Sequence, residues 1–173
     1  MESSGGAPGT PFQRDILAVH SSDTFQRYNG SFAKGRSLPC YRPGCWGIMF
    51  EVTVEDTFAA GHYLRNYKGK CEKPHGHNYK IRVTLAGAEL DKAGLLLDFK
   101  DLREVMKHVI ERLDHQMINE IEPFTVINPS AENLAKYFYD ESNGKLKSVT
   151  NGRVRVKDVT VFETDTTTAK YSE

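Results

Sequence analysis

His75-Gly76-His77 opens an alternating stretch, Asn78 to Leu85, with Cys71 four residues before the pair and His62 thirteen residues before it. In an extended strand, side chains two apart share a face, so His75 and His77 can offer two imidazoles to one metal ion while Gly76 leaves the backbone unobstructed. His62 is the natural third ligand. A catalytic zinc usually takes three protein ligands and keeps a fourth position for water or substrate, so three histidines describe an open site. Neutral imidazole also suits copper, iron and nickel, and zinc is the first expectation among them. One histidine on such a strand would be an ordinary surface residue; the His-x-His pair with a third histidine and a cysteine nearby favours a metal site.

Three further groups could act beside a metal. A cation near Cys71 would lower its thiol pKa from about 8.5 towards neutrality and supply a thiolate base, against the plain alternative of an inert small residue. Asp114-His115 falls where a helix is expected to end, so a carboxylate could orient a ring favoured as imidazolium; a simple helix C-cap is the alternative. Glu163, in Phe162-Glu163-Thr164-Asp165, is placed to accept two parallel N–H bonds from a planar heterocycle. His20 and His108 have no matching constellation, and Cys40-x4-Cys45 lacks the second cysteine pair that a structural zinc site needs.

The elements that must position these groups follow from periodicity. The chain has 173 residues, enough for one domain with a real core, and 23 Lys+Arg balance 23 Asp+Glu, which leaves no basic field for nucleic acid. No apolar run reaches the roughly 18 residues of a membrane span, no secretory signal pattern opens the chain, and three cysteines make no disulfide framework; a cytoplasmic protein is expected. Residues 1–48 are rich in Gly, Pro and Ser without sustained periodicity and read as a disordered or misannotated extension, Met49 being a plausible initiator. Residues 49–173 form the domain. Phe50, Val52 and Val54 alternate into one strand towards Phe58, Tyr79 to Leu85 into another, and Asp91 to Gly94 turns into a short strand, Leu95 to Leu97. Asp98 caps a helix whose Leu102, Val105, Met106, Val109, Ile110 and Leu113 form one apolar stripe. A second helix, capped by Ser130, is expected to end near Asn143-Gly144. The last strand is Val154 to Phe162, with a phase break at Lys157-Asp158 suggesting a bulge.

With Phe58-x3-His62, Cys71-x3-His75-Gly76-His77-Asn78, Leu113-Asp114-His115, Pro129-Ser130-x-Glu132 and Phe162-Glu163-Thr164 in order, residues 49–171 resemble the 6-pyruvoyl-tetrahydropterin synthase and 6-carboxy-tetrahydropterin synthase family. The resemblance implies an α+β tunnelling fold: a four-stranded antiparallel sheet with two helices on one face, protomers joining into a barrel, commonly a hexamer of two stacked trimers. It implies Zn2+ on His62, His75 and His77, Cys71 as general base, Asp114 with His115 as a proton relay from a neighbouring subunit, and Glu163 as anchor for the pterin ring. Ser130, Ala131 and Glu132 would line the pocket, although Ala131 replaces a hydroxyl residue often found there. The implied substrate is 7,8-dihydroneopterin triphosphate. In the bacterial branch, which the three-residue spacing from Cys71 to His75 resembles, the products are 6-carboxy-5,6,7,8-tetrahydropterin, acetaldehyde and triphosphate, for queuosine (7-deazaguanine) synthesis. A folate-making branch places a base at the Glu of Glu-x-x-His-Gly-His, here Glu72, so a pyruvoyl-type or hydroxymethyl-dihydropterin-forming synthase is the enzymatic alternative. A zinc- or pterin-binding protein without turnover is the alternative of another class, and it would need neither Cys71 nor Asp114-His115.

Overall fold

A computed structural model describes residues 49–173; the expectations for residues 1–48, with His20, Cys40 and Cys45, lie outside the described residues. Four strands, β1 (Phe50–His62), β2 (His75–Gly87), β3 (Arg155–Phe162) and β4 (Thr168–Ser172), form one antiparallel sheet in the order β1-β2-β3-β4. Two helices, α1 (Phe99–Ile110) and α2 (Ala131–Thr150), come between β2 and β3 in the chain and pack on one face. Among the described residues no helix is long and apolar enough to cross a membrane.

Alternation does most of the work. β1 pairs with β2 from Phe50↔Gly87 to His62↔His75, so Val54, Phe58 and Ala60 share a face with Tyr79, Ile81, Val83 and Leu85. The stripe of α1 covers that face with buried Leu102, Met106, Val109 and Ile110; α2 adds Leu134, Ala135, Phe138 and Leu146. Burying each such side chain contributes about 1.5–3 kcal/mol, so this shared core, rather than helix propensity, holds the helices in place. Asp98 caps α1 by accepting from the Lys100 amide at 2.8 Å, as the sequence suggests.

Two expectations need correction, and one strand is not evident from periodicity. Leu95 to Leu97 is not a strand. The Asp91 carboxylate accepts from the Ala93 and Leu95 amides at 2.8 and 2.9 Å, and the Leu95 carbonyl accepts from the Asp91 amide, so the loop consumes the groups a ladder would need. Leu96 and Leu97 are buried nonetheless, and a Cβ on Gly87 would come within 2.7 Å of Leu96 Cδ1. The second helix does not stop at Asn143-Gly144 but continues to Thr150, because Ser142, Leu146 and Thr150 stay buried on its inner side. It stops at the next Asn-Gly pair, where Asn151 and Gly152 both take positive φ, at 50° and 77°. The strand β4 was not read from periodicity at all: Thr168, Lys170 and Ser172 are exposed and only Ala169 and Tyr171 turn partly inward.

The suspected bulge is present. Val156 pairs with Leu85 and Asp158 with Thr84, leaving Lys157 as the extra residue. On the other sheet face, charges pair across strands: Arg82 with Glu55 and Lys157 with Glu51, each at 2.6 Å, and Lys170 with Asp158 at 3.0 Å.

Gly144 tests the length of α2. It lies inside the helix and a Cβ there meets nothing within 4 Å. We expect Gly144→Ala to stabilise the domain by about 0.5–1 kcal/mol, seen as a raised urea midpoint at unchanged slope. A neutral or lowered midpoint would contradict a continuous helix.

Candidate metal centre

The ladder delivers three imidazoles to one spot. His62 ends β1 on its buried face, opposite His75 at the start of β2; His77 follows on the same face. The ring centroids lie 4.5 Å apart for His62 and His75, 5.2 Å for His62 and His77, and 4.9 Å for His75 and His77. Buried Tyr79, the next inward residue of β2, floors the group at 5.8 Å from His62 and 5.5 Å from His77.

Glu163 completes the cluster through the bulge. Val154 and Val156 point inward before Lys157, and Val159 and Val161 after it, so the bulge moves the inward phase from even to odd positions. Glu163 is next in that phase. Its Oε1 lies 3.3 Å from His62 Nε2 and 3.5 Å from His77 Nε2. One donor atom from each of His62, His75, His77 and Glu163 lies within 4.8 Å of every other.

The rings are oriented by backbone carbonyls that sequence reasoning missed. His62 Nδ1 donates to the Pro129 carbonyl and His75 Nδ1 to the Lys73 carbonyl, both at 2.8 Å. Both Nε2 atoms are thereby left with lone pairs, and they face one another at 3.1 Å. Two neutral rings so held cannot hydrogen-bond to each other. Either a proton on one or a cation between them reconciles the contact. Burial of His62 is the largest influence on its pKa and holds it below the ordinary histidine value, which favours its neutral ring. His77 Nε2 is also buried without a hydrogen-bond partner. Tetrahedral zinc with bonds of about 2.0–2.1 Å separates its nitrogen ligands by roughly 3.3 Å, close to the His62–His75 spacing. The donor set therefore fits a divalent metal, with a carboxylate beside three imidazoles.

Other residues singled out by the sequence stand outside this donor group. Cys71 and Glu72 lie in a 3-10 turn, Lys70–Glu72, tied to the chain beyond His62 by the Leu64 amide donating to the Cys71 carbonyl at 2.8 Å. Cys71 is partly buried with a free thiol, Glu72 exposed. Successive side chains in such a turn diverge. Asp114 and His115 lie beyond the end of α1 and are not its cap. The Asp114 carboxylate accepts from the Ala59 amide at 3.0 Å and pairs with His115 Nδ1 at 2.9 Å, while the His115 amide donates to the Ala59 carbonyl at 2.6 Å. The Ala59 bond, then His115, holds the Asp114 carboxyl below the usual carboxylate range. His115, at φ 57°, presents an 80% exposed side chain. Glu132 and His108 are exposed.

Residues 51–173 match the model of the family described as 6-pyruvoyl tetrahydropterin synthase. A Bacillus subtilis 6-carboxy-5,6,7,8-tetrahydropterin synthase is 33% identical over 127 residues, covering 70% of this chain and 84% of its own length. An Aquifex aeolicus protein of the same name is 31% identical, covering 73% and 99%. Among solved structures, Caenorhabditis elegans 6-pyruvoyl tetrahydropterin synthase superposes with a TM-score of 0.63 at 27% identity, covering 73% of this chain and 96% of its own.

Replacing His75 should remove the ion. We expect His75→Ala to lower divalent-metal content, by elemental analysis after dialysis, from about one per protomer to a trace. Full occupancy in that variant would overturn the assignment.

Proposed function

The chain belongs to the 6-pyruvoyl tetrahydropterin synthase family, and from that premise we propose that it is a zinc-dependent lyase converting 7,8-dihydroneopterin triphosphate to 6-carboxy-5,6,7,8-tetrahydropterin, acetaldehyde and triphosphate. The reading rests above all on three imidazoles converging with two Nε2 lone pairs at 3.1 Å. The choice of product follows the relatives named 6-carboxy-5,6,7,8-tetrahydropterin synthase, which match across most of the folded region. In this reading the enzyme acts in the cytoplasm, in queuosine synthesis.

When bound, zinc supplies Lewis-acid polarisation of the substrate's side-chain oxygens and so acidifies the adjacent C–H. His62, His75 and His77 would hold it, the first two with their rings fixed by the Pro129 and Lys73 carbonyls. Cys71 removes the proton as thiolate. Its turn is anchored to the segment after His62, which keeps the base on the chain that carries a metal ligand. Asp114, ionised and bonded to Ala59, orients His115, which returns a proton. Because His115 is exposed and outside the donor group of its own chain, we assign the pair to a neighbouring subunit's site. The outer strands β1 and β4 support that assembly by offering sheet edges through which copies can join, as a hexamer of two trimers. Glu163 anchors the pterin ring. Its carboxylate, already beside His62 and His77, would keep the ring next to the metal.

Pure zinc-loaded protein incubated with dihydroneopterin triphosphate should yield the carboxy product and acetaldehyde, identified by chromatography. Cys71→Ala should lower that rate about 10²–10⁴-fold while retaining zinc, and Glu72→Ala should leave it largely intact. Undiminished carboxy product from Cys71→Ala would overturn the mechanism. Glu163→Gln should weaken pterin binding while keeping the metal through the three histidines; loss of the metal would make Glu163 a ligand instead.

A further inference from the structure

β1 ends at His62, and among the described residues no strand pairs with the backbone that follows. Two asparagine side chains take the strand's place. Asn119 Oδ1 accepts from the Tyr63 amide and its Nδ2 donates to the Tyr63 carbonyl, both at 2.9 Å. Two residues further on, Asn128 does the same for Arg65, at 2.8 and 3.0 Å. A primary amide presents one acceptor and two donors in a plane, so each asparagine closes a paired ring with one residue's N–H and C=O, as a backbone neighbour would. The Arg65 guanidinium then donates to three carbonyls of the intervening loop, Asn119 at 3.2 Å, Phe124 at 2.9 Å and Ile127 at 3.1 Å. The loop from 119 to 128 is thereby fastened at both ends and across its middle to the chain that carries His62.

This fastening bears on the metal through one peptide unit. Pro129, buried and next to Asn128, supplies the carbonyl that accepts from His62 Nδ1. Its direction is fixed from both sides. Asn128 is locked on Arg65, and its own carbonyl accepts from Asn133 Nδ2 at 2.9 Å; Ser130, on the other side, caps α2 and its carbonyl accepts from the Leu134 amide. We propose that Asn128, backed by Arg65, is a positioning residue for the metal ligand His62: it aims the Pro129 carbonyl, which sets the tautomer and the ring angle that present Nε2. Partners at one remove from a metal typically change affinity by 10- to 100-fold when lost. The inference rests on the metal reading of the site but not on the identity of substrate or product.

The test is metal affinity of the full chain, by competition for Zn2+ with a chromogenic chelator, together with the visible absorption of the Co2+-substituted protein. We expect Asn128→Ala to weaken Zn2+ binding about tenfold or more and to shift the Co2+ band. Leu146→Ala, a core truncation in α2, controls for general destabilisation and should lower the urea midpoint without moving either readout. Asn128→Asp keeps the acceptor for the Arg65 amide and loses the donor; it should fall between wild type and alanine, and it carries the same test if the alanine variant does not fold. Affinity within twofold of wild type and an unchanged Co2+ spectrum in the folded variant would overturn the proposal. Wild-type protein that binds no Zn2+ at all would instead overturn the metal centre beneath it.

Discussion

The ladder between β1 and β2 runs from Phe50↔Gly87 to His62↔His75 in one uninterrupted register, and both the core and the candidate site hang on it. A slip of β1 by one residue would turn Val54 and Phe58 out of the core and would turn His62 away from His75 in the same movement. The apolar half of the ladder therefore enforces the geometry of the polar end. His62, at the end of that ladder, is 1% exposed.

Much of this could be read from residue order because it obeys a short period. Two-residue alternation identifies β1 and β2 and places His75 and His77 on one face; the stripe from Leu102 to Leu113 identifies α1 and the face it buries. The phase break at Lys157 announces the bulge, although only the sheet reveals that its effect is to swing Glu163 towards the histidines. What escaped was information that is not periodic. Asn143-Gly144 and Asn151-Gly152 look alike as helix stops, and burial of Leu146 and Thr150 decides between them. The strand β4 has too little apolar alternation to stand out, being held by its pairing with β3 and by Tyr171 packing on Tyr139 at 5.1 Å. The carbonyls of Lys73 and Pro129 are invisible to any motif, because an acceptor on the main chain carries no side-chain signature.

The two sheet faces solve opposite problems. The helix-covered face is apolar except for Asp56, midway along β1, and the histidine end, where each of His62 and His75 commits one ring nitrogen to a carbonyl. The other face places cations opposite anions on successive strands, with Lys80 and Arg82 also lying over the Phe162 ring at 4.3 and 5.0 Å. Exposed pairs of this kind contribute little stability singly, about 0–1 kcal/mol. Their value lies in keeping a long, flat strand surface polar, which discourages indiscriminate stacking.

The outer side of β1 is divided. From Ala59 onward its amides and carbonyls are engaged by Asp114, His115, Gln116 and then the two asparagines, whereas among Glu51, Thr53 and Glu55 no such cover is present in the described residues. Any strand added to this side could zip only along Phe50 to Asp56, because the Thr57 amide already donates to the Asp56 carboxylate at 2.8 Å and His115 turns in on Ala59. The chain thus carries its own end-stop. A docking strand would be indexed lengthwise by a hydrogen-bonded abutment rather than by side-chain matching alone, and would end on the side where the exposed His115 imidazole lies.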